Sequence, residues 1–424
     1  MNAHVATPSV LAVANTGRVT IGRREDLPAL AAASESDARG AQRAAEHRAG
    51  SRCDDGRAAW RRASLDGVAR DAHGGDDRET GAIGPTWCAM GGKVPEMFDV
   101  RAATLADRPE IIAMIREMIP GIDAEARWRW LYEANPGGRA LTWIAHAGDA
   151  VAGCTSFFPF RLWIDGEVVT AALGGDGYVR PAYRRHGLGG RLHDASRTAM
   201  ASLGIGCMYG APGAMNLTPL KHGGSREIGQ VARWVRPVRA AAFGLRAPLL
   251  RRLRIGTPGA DATLESLAPG DPRVDEVWAL ARRDLRLAAV RDAAFYEWRF
   301  GESPARRQVA FLILLRGRAI GVCALEPING GDTLWIVDLI TVPGEWHAAL
   351  RAIVRHATDH THATAVDIKL FALDGRRRQM WRSGFTERDG KPFLVMIPRG
   401  GDRRFLDPDR WFYNGADSDL DSLG

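Results

Sequence analysis

From Phe98 onward the apolar positions change period repeatedly along the chain, between the two of a strand and the roughly 3.6 of a helix. Phe98–Ala103 reads as a strand. Leu105–Ile119 reads as a helix with Ile111, Ile112, Ile115 and Ile119 on one face, and Ala124–Ala134 as a second helix. Leu141–Ala145 and Val151–Phe158 form a strand pair turning at Gly148-Asp149, followed by a hairpin arm, Leu162–Thr170, around Asp165-Gly166. Leu173–Val179 is a strand and Gly187–Leu203 a helix. Gly206–Gly210 is a strand, Leu217–His222 a short helix and Ile228–Val238 a strand. This order predicts an α/β (α+β) fold with a mixed, mostly antiparallel sheet flanked by helices.

The second half repeats the first. Trp130-Leu131-Tyr132 with Pro136 returns as Trp298-Arg299-Phe300 with Pro304, 168 residues later. Gly153 and Gly321 keep that spacing, Asp176 returns as Asp338 and Gly223-Gly224 as Gly384-Phe385. The expected organisation is two tandem domains of one fold, 97–240 and 262–400. A linker rich in Arg, Pro and Gly, 241–261, joins them, and a tail, 401–424, follows. Residues 1–96 are rich in Ala, Arg, Gly and Asp with no sustained apolar period, so they cannot bury enough surface to offset their ordering entropy. They are expected to be a disordered or non-native extension, with Met97 as a candidate start.

Composition excludes more than it selects. No apolar run approaches the ~20 residues that span a bilayer, and no secretory signal opens the chain, so a cytoplasmic location is expected. Five scattered cysteines show no metal spacing, and no metal site is expected. The net charge of +7 is carried by dispersed arginines without interleaved aromatics, which argues against nucleic acid as a partner.

The chemistry concentrates in Gly177-Tyr178-Val179-Arg180-Pro181-Ala182-Tyr183-Arg184-Arg185-His186-Gly187-Leu188-Gly189-Gly190. A strand stops at a proline, a basic turn follows, and glycines open a helix. Glycines there remove side chains that would block a phosphate, and the free N–H groups at the helix start face the anion. No Gly-Lys-Ser/Thr follows, which excludes a P-loop, and the Gly-x-Gly-x-x-Gly of a dinucleotide fold is missing.

On these residues the chain resembles the GCN5-related N-acetyltransferase (GNAT) superfamily, whose signature Gln/Arg-x-x-Gly-x-Gly/Ala is filled by Arg184, Gly187 and Gly189. The resemblance implies acetyl-CoA as the acyl donor. Tyr178, Val179 and Arg180 would line its pantetheine arm, Arg184, Arg185, His186, Gly187, Leu188, Gly189 and Gly190 its pyrophosphate, and Asn216 would touch the arm. The acceptor would be a small-molecule amine attacking directly. In the second half Gly344-Glu345-Trp346 replaces the turn, which predicts a degenerate domain without the donor site.

Proton transfer needs a base for the amine and an acid for the leaving thiolate. The candidates are Asp176, His222 and Tyr209; the helix after the fifth strand lacks the tyrosine common in the family. The tail, Trp411-Phe412-Tyr413 followed by spaced aspartates, resembles those of tandem acetyltransferases of bacterial polysaccharide gene clusters, which suggests an amino sugar or polysaccharide precursor as acceptor. Two other readings stay open: a non-catalytic acyl-CoA-binding or scaffold protein, and a relative of aminoacyl-transferases that use charged tRNA. The oligomeric state is left undetermined.

Overall fold

The computed structural model describes residues 98–243, 253–256, 259, 261–304, 307–371 and 374–418. The expectation for residues 1–96 lies outside the described residues.

The first half runs β1 (Asp99–Ala102), α1 (Arg108–Met118), α2 (Ala124–Arg127) continued by a π-helical turn (Trp128–Glu133), β2 (Leu141–Ala147), β3 (Ala150–Ile164), β4 (Glu167–Val179), α3 (Leu188–Ala199), β5 (Met208–Gly210), α4 (Ala214–His222) and β6 (Arg226–Pro237). The second runs β7 (Ala262–Ser266), α5 (Arg273–Ala281), β8 (Leu287–Ala289), α6 (Ala293–Tyr296) with a π-helical turn (Glu297–Gly301), β9 (Val309–Leu315), β10 (Arg318–Ile328), β11 (Thr333–Thr341), α7 (Trp346–His360), β12 (Ala365–Phe371), α8 (Asp374–Arg382), β13 (Thr386–Met396) and β14 (Trp411–Asn414). This is a mixed α/β fold around one large mixed sheet.

Local chemistry sets these elements. Asp123 and Asp292 cap α2 and α6 by accepting from the N–H groups of Ala126 and Phe295. Ile111, Ile112 and Ile115 are buried on the inner face of α1, as their spacing requires. One expectation is corrected. The break read between Phe158 and Leu162 does not exist: β3 and β4 form one long hairpin, turning at Asp165-Gly166 with φ of 44° and 106°. Pro159 sits inside β3 without harm because the pairing with β2 has already ended at Phe157, and its carbonyl accepts from Asn135 Nδ2.

The sheet order is β1-β2-β3-β4-β5-β13-β6-β12-β11-β10-β9-β7. Within it β13 pairs with β5, and β6 with β12. β14 adds antiparallel to β12 and parallel to β8, which pairs with β3. These pairings close a ring, β3-β4-β5-β13-β6-β12-β14-β8. Phe160, Tyr209, Phe393, Trp411 and Tyr413 pack their rings against one another in it, for example Tyr209 and Trp411 at 5.2 Å. Trp130 and Trp298 stack at 5.2 Å, and each indole donates to the other's backbone carbonyl at 2.8 Å.

Candidate acyl-donor site

β4 and β5 run parallel and are paired only at Ala172–Met208 and Leu173–Tyr209. β4 continues to Val179 while β5 ends at Gly210, so the two strands part and leave one edge of β4 open. A bulge in the β3 pairing lies at the same place, where Asp176 takes a φ of 46°. Arg180 donates its backbone N–H to Ala152, toward β3. Alternation then turns the N–H and C=O of Val179 toward the open edge, and the Val179 carbonyl accepts there from Arg184 Nε at 2.9 Å. The Arg184 guanidinium also lies 5.6 Å from the centre of the Tyr178 ring.

Beyond Pro181 the chain turns through Arg185 (φ 69°) and Gly187 (φ 72°) into α3. Alternating handedness of this kind points successive N–H groups to one side. Among the described residues, the backbone N–H groups from Arg185 to Gly190 have no acceptor. The first residues of a helix lack intrahelical partners in any case, and here no side chain caps them. A Cβ added at Gly187, Gly189 or Gly190 would meet nothing within 4 Å, so the space over these amides is open. Leu188 alone turns inward and is buried; Arg184, Arg185 and His186 are exposed. Six free donors, the positive end of a helix and nearby arginines fit a diphosphate.

The remaining sequence candidates fall elsewhere. Asp176 is buried and accepts from Arg127 Nε (3.1 Å) and Nη2 (2.7 Å) and from the Tyr132 hydroxyl (2.9 Å). A carboxylate held this way is a structural partner, not an available base. The second half builds the same trio from other positions: Asp338 accepts from Arg291 (2.9 Å) and Tyr296 (2.8 Å). Tyr209 is buried in the ring of aromatics, where burial pushes its hydroxyl well above the ordinary tyrosine range, so it does not reach the open edge as a donor. Arg180 is engaged beside α1. Its side chain bonds Glu117, Glu110 and the Val151 carbonyl, tying the end of β4 to α1. Of Tyr178, Val179 and Arg180, then, only Val179 presents its backbone to the open edge. Asn216 and His222 are exposed on α4, one in its first turn and one at its end. The partners Arg127, Glu110 and Glu117 were missed because nothing in their local pattern marks a contact with β4, dozens of residues away.

In the second half β11 and β12 also part, after Ile336–Ile368. That gap is filled from within. β14 pairs with β12, Gly415 lies against Trp335 and Val337, Asn414 Nδ2 donates to Asp338 at 2.6 Å, and Asp417 pairs with Arg291 at 2.9 Å. At the start of α7, Trp346 is buried against Phe412 and Arg376.

Residues 99–218 match the family model described as an acetyltransferase (GNAT) domain. The matched stretch holds the open strand edge and the glycine turn. No curated protein matches the chain in sequence. Among solved structures, it is similar to a GCN5-related N-acetyltransferase from Anabaena variabilis, at 17% identity and a TM-score of 0.54 over 71% of this chain and 72% of that one. A conserved protein of unknown function from Enterococcus faecalis gives 13% and 0.55 over the same shares. A GCN5-related N-acetyltransferase from Kribbella flavida gives 17% and 0.51 over 71% of each. At these identities the likeness speaks for the fold. No described helix is long and apolar enough to cross a membrane, and no described cluster of His, Cys, Asp or Glu would hold a metal ion.

Proposed function

We propose that the chain is an acyl-CoA-dependent N-acyltransferase that transfers acetyl from acetyl-CoA to a primary amine. The observation that carries this reading is the row of free N–H groups from Arg185 to Gly190 at the mouth of the parted strands β4 and β5. The family match over the same residues agrees with it. Bound acetyl-CoA would supply an acyl group activated as a thioester. The turn amides would hold its pyrophosphate, and the Val179 N–H and C=O would hold the arm along the open edge. Arg184 then has to leave the Val179 carbonyl, and its guanidinium is free to meet a phosphate. The amine nitrogen attacks the acyl carbon, its C–N bond forms as the C–S bond breaks, and the departing thiolate takes up a proton.

Asp176 is tied to Arg127 and Tyr209 is enclosed, so neither takes the amine's proton. We assign that step to solvent at the open mouth, with exposed His222 as the remaining side-chain candidate. We further propose that the two halves are tandem, strand-exchanged copies of one domain, 97–240 and 262–400, joined by 241–261. In this reading the second copy has its cleft filled by residues 411–417 of the tail and keeps no donor site. An amino sugar or polysaccharide precursor as acceptor rests on the tail resemblance alone.

Calorimetric titration of acetyl-CoA into the full chain tests the reading, beside a Gly187→Trp, Gly189→Trp variant. Micromolar binding abolished by the variant supports it. A wild type that binds no acetyl-CoA sinks it. Binding without turnover on any amine would favour the scaffold alternative.

A further inference from the structure

We propose that Arg236 and His347, which both bond Ser383 in the second half, form with Arg351 and Arg382 a binding site for a phosphate group, free or carried as a monoester on a small molecule. The site lies where the start of α7, the end of α8 and β6 meet. Arg236 reaches from β6 to donate to the carbonyls of Ser383 and Gly256. His347 Nδ1 lies 2.9 Å from Ser383 Oγ. Arg351 stands one helical turn after His347, and its Nε is buried with no hydrogen-bond partner among the described residues. Arg382 precedes Ser383 in the chain.

Several arginines elsewhere in this protein find carboxylates: Arg101 with Asp107, Arg127 with Asp176, Arg273 with Asp271, Arg377 with Glu387, Arg404 with Asp402. Among the described residues Arg236, Arg351 and Arg382 have none. The nearest acid along α7, Glu345, turns to Arg318 at 3.6 Å, and Asp359 serves Arg254 and Arg355. Capping of the α8 C-terminus accounts for Arg236, but not for His347 on the same serine or for the unpartnered Arg351 Nε one turn on. Burial lowers the His347 pKa, and the facing charges of Arg351, Arg236 and Arg382 lower it further. Like charges are brought together at a cost unless an anion joins them, and guanidinium forks match phosphate oxygens in pairs.

The test follows the His347 ring by NMR through a pH titration of the full chain, its signal identified with His347→Gln. Sodium phosphate, glucose 1-phosphate and sodium chloride are compared at one ionic strength. A bound phosphate should raise the His347 midpoint by about one pH unit relative to chloride, and Arg351→Gln should abolish the response. A response to phosphate alone assigns the free ion; a response to both assigns a monoester site. An unchanged midpoint with both phosphates overturns the proposal, as does a full response that survives in Arg351→Gln. Arg236→Gln is the weaker variant because it also removes bonds to two carbonyls.

Discussion

Gly190→Ala separates a glycine kept for a ligand from a glycine kept for packing. Gly190 has ordinary helical φ, unlike Gly187, and a Cβ there meets nothing within 4 Å. In the free protein the change should therefore stabilise α3, by roughly 0.5–1 kcal/mol from helix propensity. For a domain of this size that raises Tm by ~1–3 °C. The same methyl would stand over the N–H row that receives the pyrophosphate. Losing one charge-assisted bond costs about 1.5–3 kcal/mol, or at least tenfold in the Kd for acetyl-CoA. Thermal denaturation without ligand and calorimetry with acetyl-CoA read the two effects independently. Higher Tm with weaker binding is the expected pair. Unchanged affinity would refute the cradle, and a lower Tm would show that the glycine serves packing after all.

Three further outcomes follow from particular contacts. Asp176→Asn leaves the Arg127 guanidinium buried with its charge uncompensated, so circular dichroism should show a loss of roughly 3–5 kcal/mol in stability; unchanged stability with lost turnover would restore Asp176 as the base. Arg185 holds a left-handed φ of 69°, so Arg185→Gly should relieve about 1 kcal/mol of strain, read as a rise in Tm, while removing one cation from the turn. Burial pushes the Cys154 thiol up to about 12 and raises Cys207 and Cys323 as well. A raised pKa keeps the thiol protonated below that value, so at pH 8 a thiol reagent should modify these three only after denaturation. Fast labelling of any of them in the native protein would contradict the core packing.

Much of the site could be read from residue order because it is local. The strand stop at Pro181, the basic turn and the glycines of α3 lie within fourteen residues, and their chemistry depends on backbone groups that glycine exposes by itself. Roles that depend on distant partners could not be read in this way. Asp176 read as a candidate base, and its pairing with Arg127, 49 residues away in sequence, comes only from the fold. Arg180 read as a cofactor contact, and its bonds to Glu110 and Glu117 of α1 come from the fold in the same way. The repeated spacing carried some information: Asp176 and Asp338 both sit in buried arginine pairs. The order of β13 and β6 in the sheet was not legible, since either strand satisfies the same alternation beside either partner.

The sheet order makes the second half part of the construction of the cleft between β4 and β5. β5 is only three residues long, and its far neighbour is β13, which pairs Leu394 with Gly210 and Val395 with Tyr209. Tyr209 in turn packs on Trp411 of β14 at 5.2 Å, and Trp411 packs on Phe393 of β13 at 5.0 Å. The lip of the cleft that β5 forms is thus positioned by the tail. Trp411→Ala should cost ~3–5 kcal/mol, as removal of a buried aromatic usually does. Deleting 411–424 removes Phe412, Tyr413 and the Asn414 and Asp417 contacts as well, a loss comparable to the whole stability of a domain, ~5–15 kcal/mol. The point variant is therefore the informative one. At a temperature where it remains folded by circular dichroism, acetyl-CoA should bind several-fold more weakly than to wild type, although Trp411 touches none of the turn residues. Wild-type affinity in a clearly destabilised Trp411→Ala protein would mean that β5 is held by the first half alone, and that the tail serves only the second.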